Sequence, residues 1–369
     1  MKMNVLSIFD GMSCGRLALD RAGIRYDNYF ASEIDPHAIK VAKSNYPDTI
    51  QLGDVCGVTA DRLPKIDLLF GGSPCQGFSV AGKGLNFDDP RSRLFFEFVR
   101  LKNELQPRYF LLENVPMKKA WRDIISQHLG VEPIVINSAR VSAQNRVRYY
   151  WTNIRAAPSD LFGNVRSTIG QPPDSHILLK DILEPCADPK YTLHGKRLRF
   201  MLARVGKYTQ VGGEKSMTQT ARMDSGWQGS IITMPRGNNK GKNEPSKKCG
   251  TFTGSSFEHN NFLKLDTIGN LKKNQTKASC FTAWAHSGGN HSDMDIISDG
   301  QLYRRLTPVE VERLQTVPDN YTAFVSDSQR YRMLGNGWTV DVIAWILSHI
   351  QPAHLTSIEN GTYICPPLG

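Results

Sequence analysis

Over the first 155 residues, short apolar runs alternate with stretches whose apolar residues recur at helical spacing. The runs Val5–Phe9, Tyr29–Glu33, Asp67–Gly71, Tyr109–Glu113, Ile134–Asn137 and Tyr149–Asn153 predict strands. Between them, Arg16–Ala22, Pro36–Asn45, Ser92–Leu105 and Lys119–Leu129 predict helices. In Ser92–Leu105 the residues Leu94, Phe95, Phe98, Val99 and Leu105 form one apolar stripe, and Pro107 stops the helix. The alternation is that of βαβ units, so the expected class is α/β: a Rossmann-like, mostly parallel sheet with helices on both faces.

From about Ala157 the chain turns to Gly, Ser, Thr, Asn and Lys with short β-like pieces, which predicts a smaller β-rich domain. Three related segments, Lys215–Ala221, Lys248–Gly254 and Lys277–Ala283, suit successive hairpins, although short Thr-rich pieces also resemble one another by chance. Helical pattern resumes at Pro308–Thr316 and Val340–Ile350. The expected division is therefore 1–156 as a first lobe, 157–301 as a second, and 302–369 returning to the first.

At 369 residues, 40% hydrophobic and 22% charged, the chain can bury a sizeable core, which excludes disordered and collagen-like classes. That length is near the limit for a single core, consistent with two lobes. There is no apolar run of membrane-spanning length, and the stretch in Met1–Gly11 is too short for a signal peptide, so a cytoplasmic protein without a membrane partner is expected. Seven cysteines, at positions 14, 56, 75, 186, 249, 280 and 365, include no C-x-x-C pair, and neither disulfides nor a metal site is expected. The formal charge is +10. Lys190–Cys280 holds 17 Lys and Arg against 5 Asp and Glu, whereas the rest of the chain holds 28 against 30. So local a surplus suits a polyanion partner, with a solvated surface loop as the alternative.

Candidate chemistry lies where predicted strands end. Phe9-Asp-Gly-Met-Ser-Cys-Gly15 would form the first tight strand-to-helix turn of a nucleotide-type site. Glu33 and Asp54 end the next two segments, where carboxylates can accept from ribose hydroxyls and an adenine amine, or serve only as helix-start acids. In Asp67-Leu-Leu-Phe-Gly-Gly-Ser-Pro-Cys-Gln-Gly-Phe-Ser79 a strand leads through two glycines and a fixed-φ proline to Cys75, presenting a thiol at the carboxyl edge of the sheet. Glu113 ends the following strand, and Gln144-Asn-Arg146-Val-Arg148 alternates so that both arginines take one face. A soft nucleophile, an acid and two arginines beside such a site suggest covalent catalysis on an electron-poor ring.

This set resembles the C5-cytosine DNA methyltransferases. The resemblance rests on eight colinear motifs: Phe9-Asp-Gly; Glu33; Gly53-Asp54-Val55; Gly72-Ser-Pro-Cys75-Gln; Glu113-Asn-Val115; Gln144-x-Arg146-x-Arg148; Arg305-Leu-Thr-Pro-Val-Glu-x-x-Arg-Leu-Gln315; and Gly335-Asn336-Gly-Trp338. Phe9–Gly15 and Arg93-Leu-Phe-Phe-Glu-Phe98 are similar to the animal de novo branch, although Ser13-Cys14 stands where paired glycines often occur and no accessory domains are expected, which points to a bacterial or phage setting. The resemblance implies S-adenosyl-L-methionine as cofactor, duplex DNA as partner, a monomer, and a target-recognition role for 157–301. It implies that Cys75 attacks C6 of a flipped-out cytosine, with Glu113, Arg146 and Arg148 binding and activating the base. Phe9, Asp10, Gly11, Ser13, Glu33, Ile34, Asp54, Val55, Asn336 and Trp338 would then line the cofactor site. Gln76, Ser79, Arg236, Asn238, Lys240, Lys247 and Lys248 would touch DNA. Arg236-Gly-Asn-Asn-Lys240-Gly suits a groove-entering loop or a plain surface turn. Transfer-RNA methylation, a catalytically silent DNA-binding protein and a nicotinamide oxidoreductase are the rival readings.

Overall fold

The computed structural model describes residues 3–73, 90–160, 163–193, 195–205, 209–220, 229–234 and 302–350. Their packing forms two compact units. Met1–Asn137, Val147–Pro173 and Trp338–Gly369 make one, and Ser138–Arg146 and Asp174–Gly337 make the other. The boundaries are thus drawn at other places than 157 and 301. In particular, residues 302–337, expected to return to the first lobe, pack in the second unit, and only the segment from Trp338 belongs to the first.

The described part of the first unit is built on β1 (Met3–Ile8), α1 (Cys14–Arg21), β2 (Tyr26–Ser32), α2 (Pro36–Asn45), β3 (Ile50–Gln51), β4 (Leu68–Gly71), α3 (Pro90–Leu105), β5 (Tyr109–Asn114), α4 (Lys119–Leu129), β6 (Ile134–Asn137) and β7 (Val147–Thr152). These strands form one sheet in the order β3-β2-β1-β4-β5-β7-β6. All neighbours are parallel except β7, which runs antiparallel to both β5 and β6. The order reverses between β1 and β4, and in open sheets of this kind the crevice beyond the carboxyl ends at that switch is where ligands bind. β4 reads as an unbroken apolar run because it is buried on both faces, with Leu68, Leu69 and Phe70 at 0% exposure. Phe95, Phe98 and Leu101 of α3 join Leu6, Ile8, Leu69 and Leu112 in one core cluster, each such side chain contributing about 1.5–3 kcal/mol by leaving water. The short hairpin β8 (Ala156–Pro158) and β9 (Val165–Ser167) follows.

The described part of the second unit contains α5 (Gly195–Leu202), the sheet β10 (Thr209–Val211), β11 (Gly229–Met234) and β12 (Leu302–Arg305), and the helices α6 (Pro308–Leu314) and α7 (Asp327–Asn336). Of the three expected repeats only Lys215–Thr220 is described, and it is a pinned loop: the Lys215 ammonium donates to the carbonyls of Ala139 (2.9 Å) and Ser142 (3.2 Å). α6 starts with Pro308 after a reciprocal cap, in which Thr307 N donates to Glu310 and Glu310 N to the Thr307 hydroxyl. α7 lacks an apolar stripe in the sequence because its inward face carries Arg330, which pairs at 3.0 Å with the fully buried Glu312. The last helix, α8 (Val340–Leu347), packs its apolar face on α1 in the first unit.

Gly15, inside α1, lies against the ring of Phe70: a Cβ there would meet Cε2 at 2.4 Å and Cζ at 2.6 Å. Phe70 is itself fully buried, so the clash has no easy relief. Gly15→Ala is expected to lower unfolding free energy by about 1–3 kcal/mol in denaturant titration. Pairing it with Phe70→Leu should recover part of that loss, and additive losses would contradict the contact.

Candidate active site

At the carboxyl end of β1 the backbone turns sharply through left-handed positions at Phe9 (φ 56°), Gly11 (φ 59°) and Ser13 (φ 64°). Two of these are not glycine, so the turn needs outside support. Two carboxylates supply it. Glu33, just beyond β2, accepts the Gly11 amide on one oxygen and the Ile34 and Asp35 amides on the other, each at 2.8 Å. Asp10, buried, accepts the Tyr29 hydroxyl at 2.6 Å and the Ser13 hydroxyl. Burial pushes the Asp10 carboxyl above the usual carboxylate range, against the opposing pull of hydrogen bonds from Ser13, Ser7 and Tyr29.

Glu33 therefore has three of roughly four lone-pair positions filled, leaving room for one more donor such as a sugar hydroxyl. Beside it Ile34 is 72% exposed, an apolar surface with no core role. Ser32 ties this corner to the loop after β3 through Gly53 O at 2.7 Å. That loop carries Asp54, exposed, with one oxygen accepting the Cys56 amide at 3.0 Å, and buried Val55. Phe9 is half-buried against the core cluster.

β4 and β5 end side by side. The Asn114 amide donates to the Ser73 carbonyl (3.4 Å) and hydroxyl (3.2 Å), and its own oxygen accepts the Val115 amide at 2.8 Å. Sequence reasoning quoted Asn114 within its motif without a role; it is the clasp between the two strand ends. Glu113, one residue earlier, pairs through Oε1 with Arg148 Nε of β7 at 3.0 Å, both side chains being 11% exposed. Its other oxygen faces Gly72, where a Cβ would stand 3.2 Å from Glu113 Oε2 and 2.9 Å from Trp338 Nε1. Trp338 also meets the Phe70 ring edge-on at 5.7 Å. The chain runs on from Ser73 to Pro74 and Cys75, and Cys75, Gln76 and Ser79 lie outside the described residues, as do Arg236, Asn238, Lys240, Lys247 and Lys248.

The two arginines have different partners. Arg148 holds Glu113 in the first unit, whereas Arg146, in the second, is 4% exposed and donates to the carbonyls of Gln219 (3.1 Å), Gly335 (3.2 Å) and Gly337 (2.9 Å). Those carbonyl bonds make Arg146 a positioning residue for the turn that carries the exposed Asn336. Gln315, absent from the candidate roles, grips the same turn through Leu334 O at 2.7 Å. Alternation along a strand cannot show this division, because Arg146 precedes β7 and belongs to another packing unit.

Most of the chain also matches known proteins. The profile of the family described as C-5 cytosine-specific DNA methylase matches residues 3–352. The orphan methyltransferase M.SPRI of Bacillus phage SPR is 28% identical over 440 residues, covering 95% of this chain and 97% of that protein. The Type II methyltransferase M.NlaX of Neisseria lactamica is 28% identical over 360 residues, covering 95% and 96%. Among solved structures, the Entamoeba histolytica methyltransferase EhMeth shares the fold with a TM-score of 0.62 at 17% identity, covering 95% of this chain and 98% of that one. A mutant of Spodoptera frugiperda DNMT2 gives 0.61 at 22%, covering 94% and 99%.

Glu33→Gln would turn an amide group toward backbone N–H donors and leave at least one of them unmatched. It is expected to cost about 1–3 kcal/mol in thermal unfolding, and unchanged stability would show that the carboxylate does not hold the turn.

Proposed function

The chain belongs to the C-5 cytosine-specific DNA methylases, and as a DNA cytosine-5 methyltransferase we propose that it does its chemistry at the joined ends of β4 and β5. The observation that carries this is the Glu113–Arg148 pair, nearly buried beside the side-chain-free Gly72, with Pro74-Cys75 next along the chain. In this reading the Cys75 thiolate adds to C6 of a cytosine turned out of the duplex, because the ring is inaccessible while stacked. Glu113 binds N3 and the exocyclic amine and passes a proton to N3, so that charge does not build up on the ring. Arg148 fixes the Glu113 carboxylate through Oε1 and leaves Oε2 toward the Gly72 side. Addition at C6 makes C5 nucleophilic, and loss of the C5 proton with expulsion of Cys75 restores the aromatic base.

The donor expected for this class is S-adenosyl-L-methionine, which supplies a methyl group activated by a sulfonium. The corner made by Phe9, Asp10, Gly11, Ser13, Glu33, Ile34, Asp54 and Val55 suits it chemically: a carboxylate with one acceptor position left, an exposed apolar side chain beside it, and a second carboxylate facing solvent. Asn336 and Trp338 are assigned to its amino-acid end on the resemblance. Duplex DNA is assigned to the basic stretch 157–301, with Arg236, Asn238 and Lys240 for bases and Lys247 and Lys248 for phosphates, and the surplus charge of Lys190–Cys280 supports it. Among the described residues no helix is long and apolar enough to cross a membrane. The phage and bacterial sources of the relatives support a place in the cytoplasm of such cells, and a monomer without a metal is assigned on the resemblance alone.

The test is transfer of labelled methyl to duplex DNA and to transfer RNA, followed by bisulfite sequencing. Label at cytosine C5 within one short DNA sequence is expected, with Cys75→Ala inactive and Glu113→Gln slower by about 10²–10⁴. Label confined to RNA, or turnover retained by Cys75→Ala, would overturn the reading.

A further inference from the structure

In the first unit, an arginine with no role assigned so far ties a core helix to the loop that carries Asp54. α3 buries Phe95, Phe98 and Val99 in the core cluster to which Val55 and Val58 also belong. Arg100 lies at the rim of that contact, with 30% of its side chain exposed. Its Nη2 donates to the carbonyls of Val58 (2.9 Å) and Val55 (3.3 Å). Nε and Nη1 donate to Glu97 and Glu104 of the same helix, each at 2.9 Å. On their own, such pairs three and four residues apart on a helix surface are worth little. Here the two carboxylates hold two corners of a planar guanidinium, which fixes its plane and directs the third corner at another element.

The backbone that Arg100 grips is the single 3-10 turn Val55–Gly57 and the residue after it. Asp54 caps that turn, its carboxylate accepting the Cys56 amide at 3.0 Å and its carbonyl the Gly57 amide at 2.9 Å. Upstream, Ser32 holds the Gly53 carbonyl at 2.7 Å, so the segment around Asp54 is gripped from both sides. One short turn has little stability of its own, so the direction of the Asp54 carboxylate follows from what holds the turn's ends. We propose that Arg100 is a positioning residue for the base of the cofactor: by holding the Val55 and Val58 carbonyls it aims Asp54 at the 6-amino group of adenine. The inference rests on the reading of the corner from Phe9 to Val55 as the S-adenosyl-L-methionine site. A hydrogen bond weakens steeply with distance and angle, so a small displacement of the turn is enough to lose that contact. A base with a 6-oxo group presents an acceptor to the carboxylate, so the preference for adenine depends on how Asp54 is placed.

The test is equilibrium binding of S-adenosylhomocysteine and of S-inosylhomocysteine to the full chain without DNA, alongside thermal unfolding and methyl transfer. For Arg100→Met, which keeps the stem and removes the guanidinium, affinity for the adenosyl compound is expected to fall about tenfold and that for the inosyl compound much less. The preference between the two therefore narrows, and methyl transfer shows a raised KM for the donor with kcat at saturation retained. Arg100→Lys, whose single ammonium lacks the planar fork, should fall between the wild type and Arg100→Met, and it carries the comparison should Arg100→Met fail to fold. Glu104→Gln leaves the carbonyl bonds in place and is expected to keep both affinities. Equal losses for the two compounds, or an unchanged preference whatever the melting temperature does, would make Arg100 a structural residue only and overturn the inference. A wild type that methylates DNA but binds both compounds alike would sink the inference and leave the function standing. A wild type that prefers the adenosyl compound and methylates no DNA would remove the function, and the narrowing in Arg100→Met would still support the inference.

Discussion

The absence of side chains at Gly71 and Gly72 is the constraint on which the site depends. Parallel strands keep their spacing by hydrogen bonding, and a Cβ at Gly71 would stand 2.7 Å from the Ile8 carbonyl of β1. At Gly72 it would intrude between Trp338 and the Glu113 carboxylate. With hydrogen at both positions, β4 ends flush with β1 and β5, and the Asn114–Ser73 clasp forms beside Glu113. Arg148 comes from β7, which runs antiparallel to β5, so its registered approach brings a guanidinium across to the last turn of a parallel neighbour. The reversal of one strand therefore supplies the cation that a wholly parallel sheet would have had to bring from a loop.

Much of the first unit was legible because parallel strands buried on both faces are written as uninterrupted apolar runs, as in Leu68-Leu-Phe70. Helices such as α3 and α4 were legible from their stripes, and α2 from its proline start and bounds. β3 was not, since two residues give no period to detect. α7 was hidden because its inward face is partly ionic: Arg330 reads as a surface residue until its partner Glu312 is known. Of the three related segments only Lys215–Thr220 lies among the described residues, and there Lys215 binds backbone carbonyls, which no spacing in the sequence announces. In the site, strand-end positions placed Glu33, Asp54 and Glu113 at one edge, because burial of the strand interiors leaves polar residues only where strands stop. The pairings among them were not legible, because they depend on which neighbour each strand takes.

The residues that carry the family resemblance divide into two physical kinds. Glu113, Arg148, Glu33 and Asp54 present atoms at the carboxyl edge of the first unit's sheet. Thr307, Glu310, Gln315 and Arg146 hold other side chains and the backbone, as does Glu312 beside them. Glu310 closes the α6 cap and also takes both terminal nitrogens of Arg304, each at 2.7 Å, while being wholly buried. Glu312 meets Arg330 together with the amides of Asn320 (2.7 Å) and Thr322 (2.8 Å). A buried carboxylate is tolerable only when nearly every lone pair is matched, and breaking such a set costs more than the set itself contributes. Substitution at any one member therefore leaves a buried charge uncompensated, whether or not that member ever touches a substrate.

One turn of the second unit has its backbone held in the same way by buried side chains. The turn at Gly335–Gly337 has its carbonyls held by Arg146 and Gln315, two residues far apart in the chain that both belong to this unit. Immediately afterwards the chain enters the first unit at Trp338, whose ring packs on Phe70 and whose indole nitrogen borders Gly72. Trp338 therefore follows directly on a turn whose carbonyls are held, and its indole fills the space beside Gly72. Alternation assigns Arg146 to the base together with Arg148, and in this structure its described hydrogen bonds go to the carbonyls of Gln219, Gly335 and Gly337.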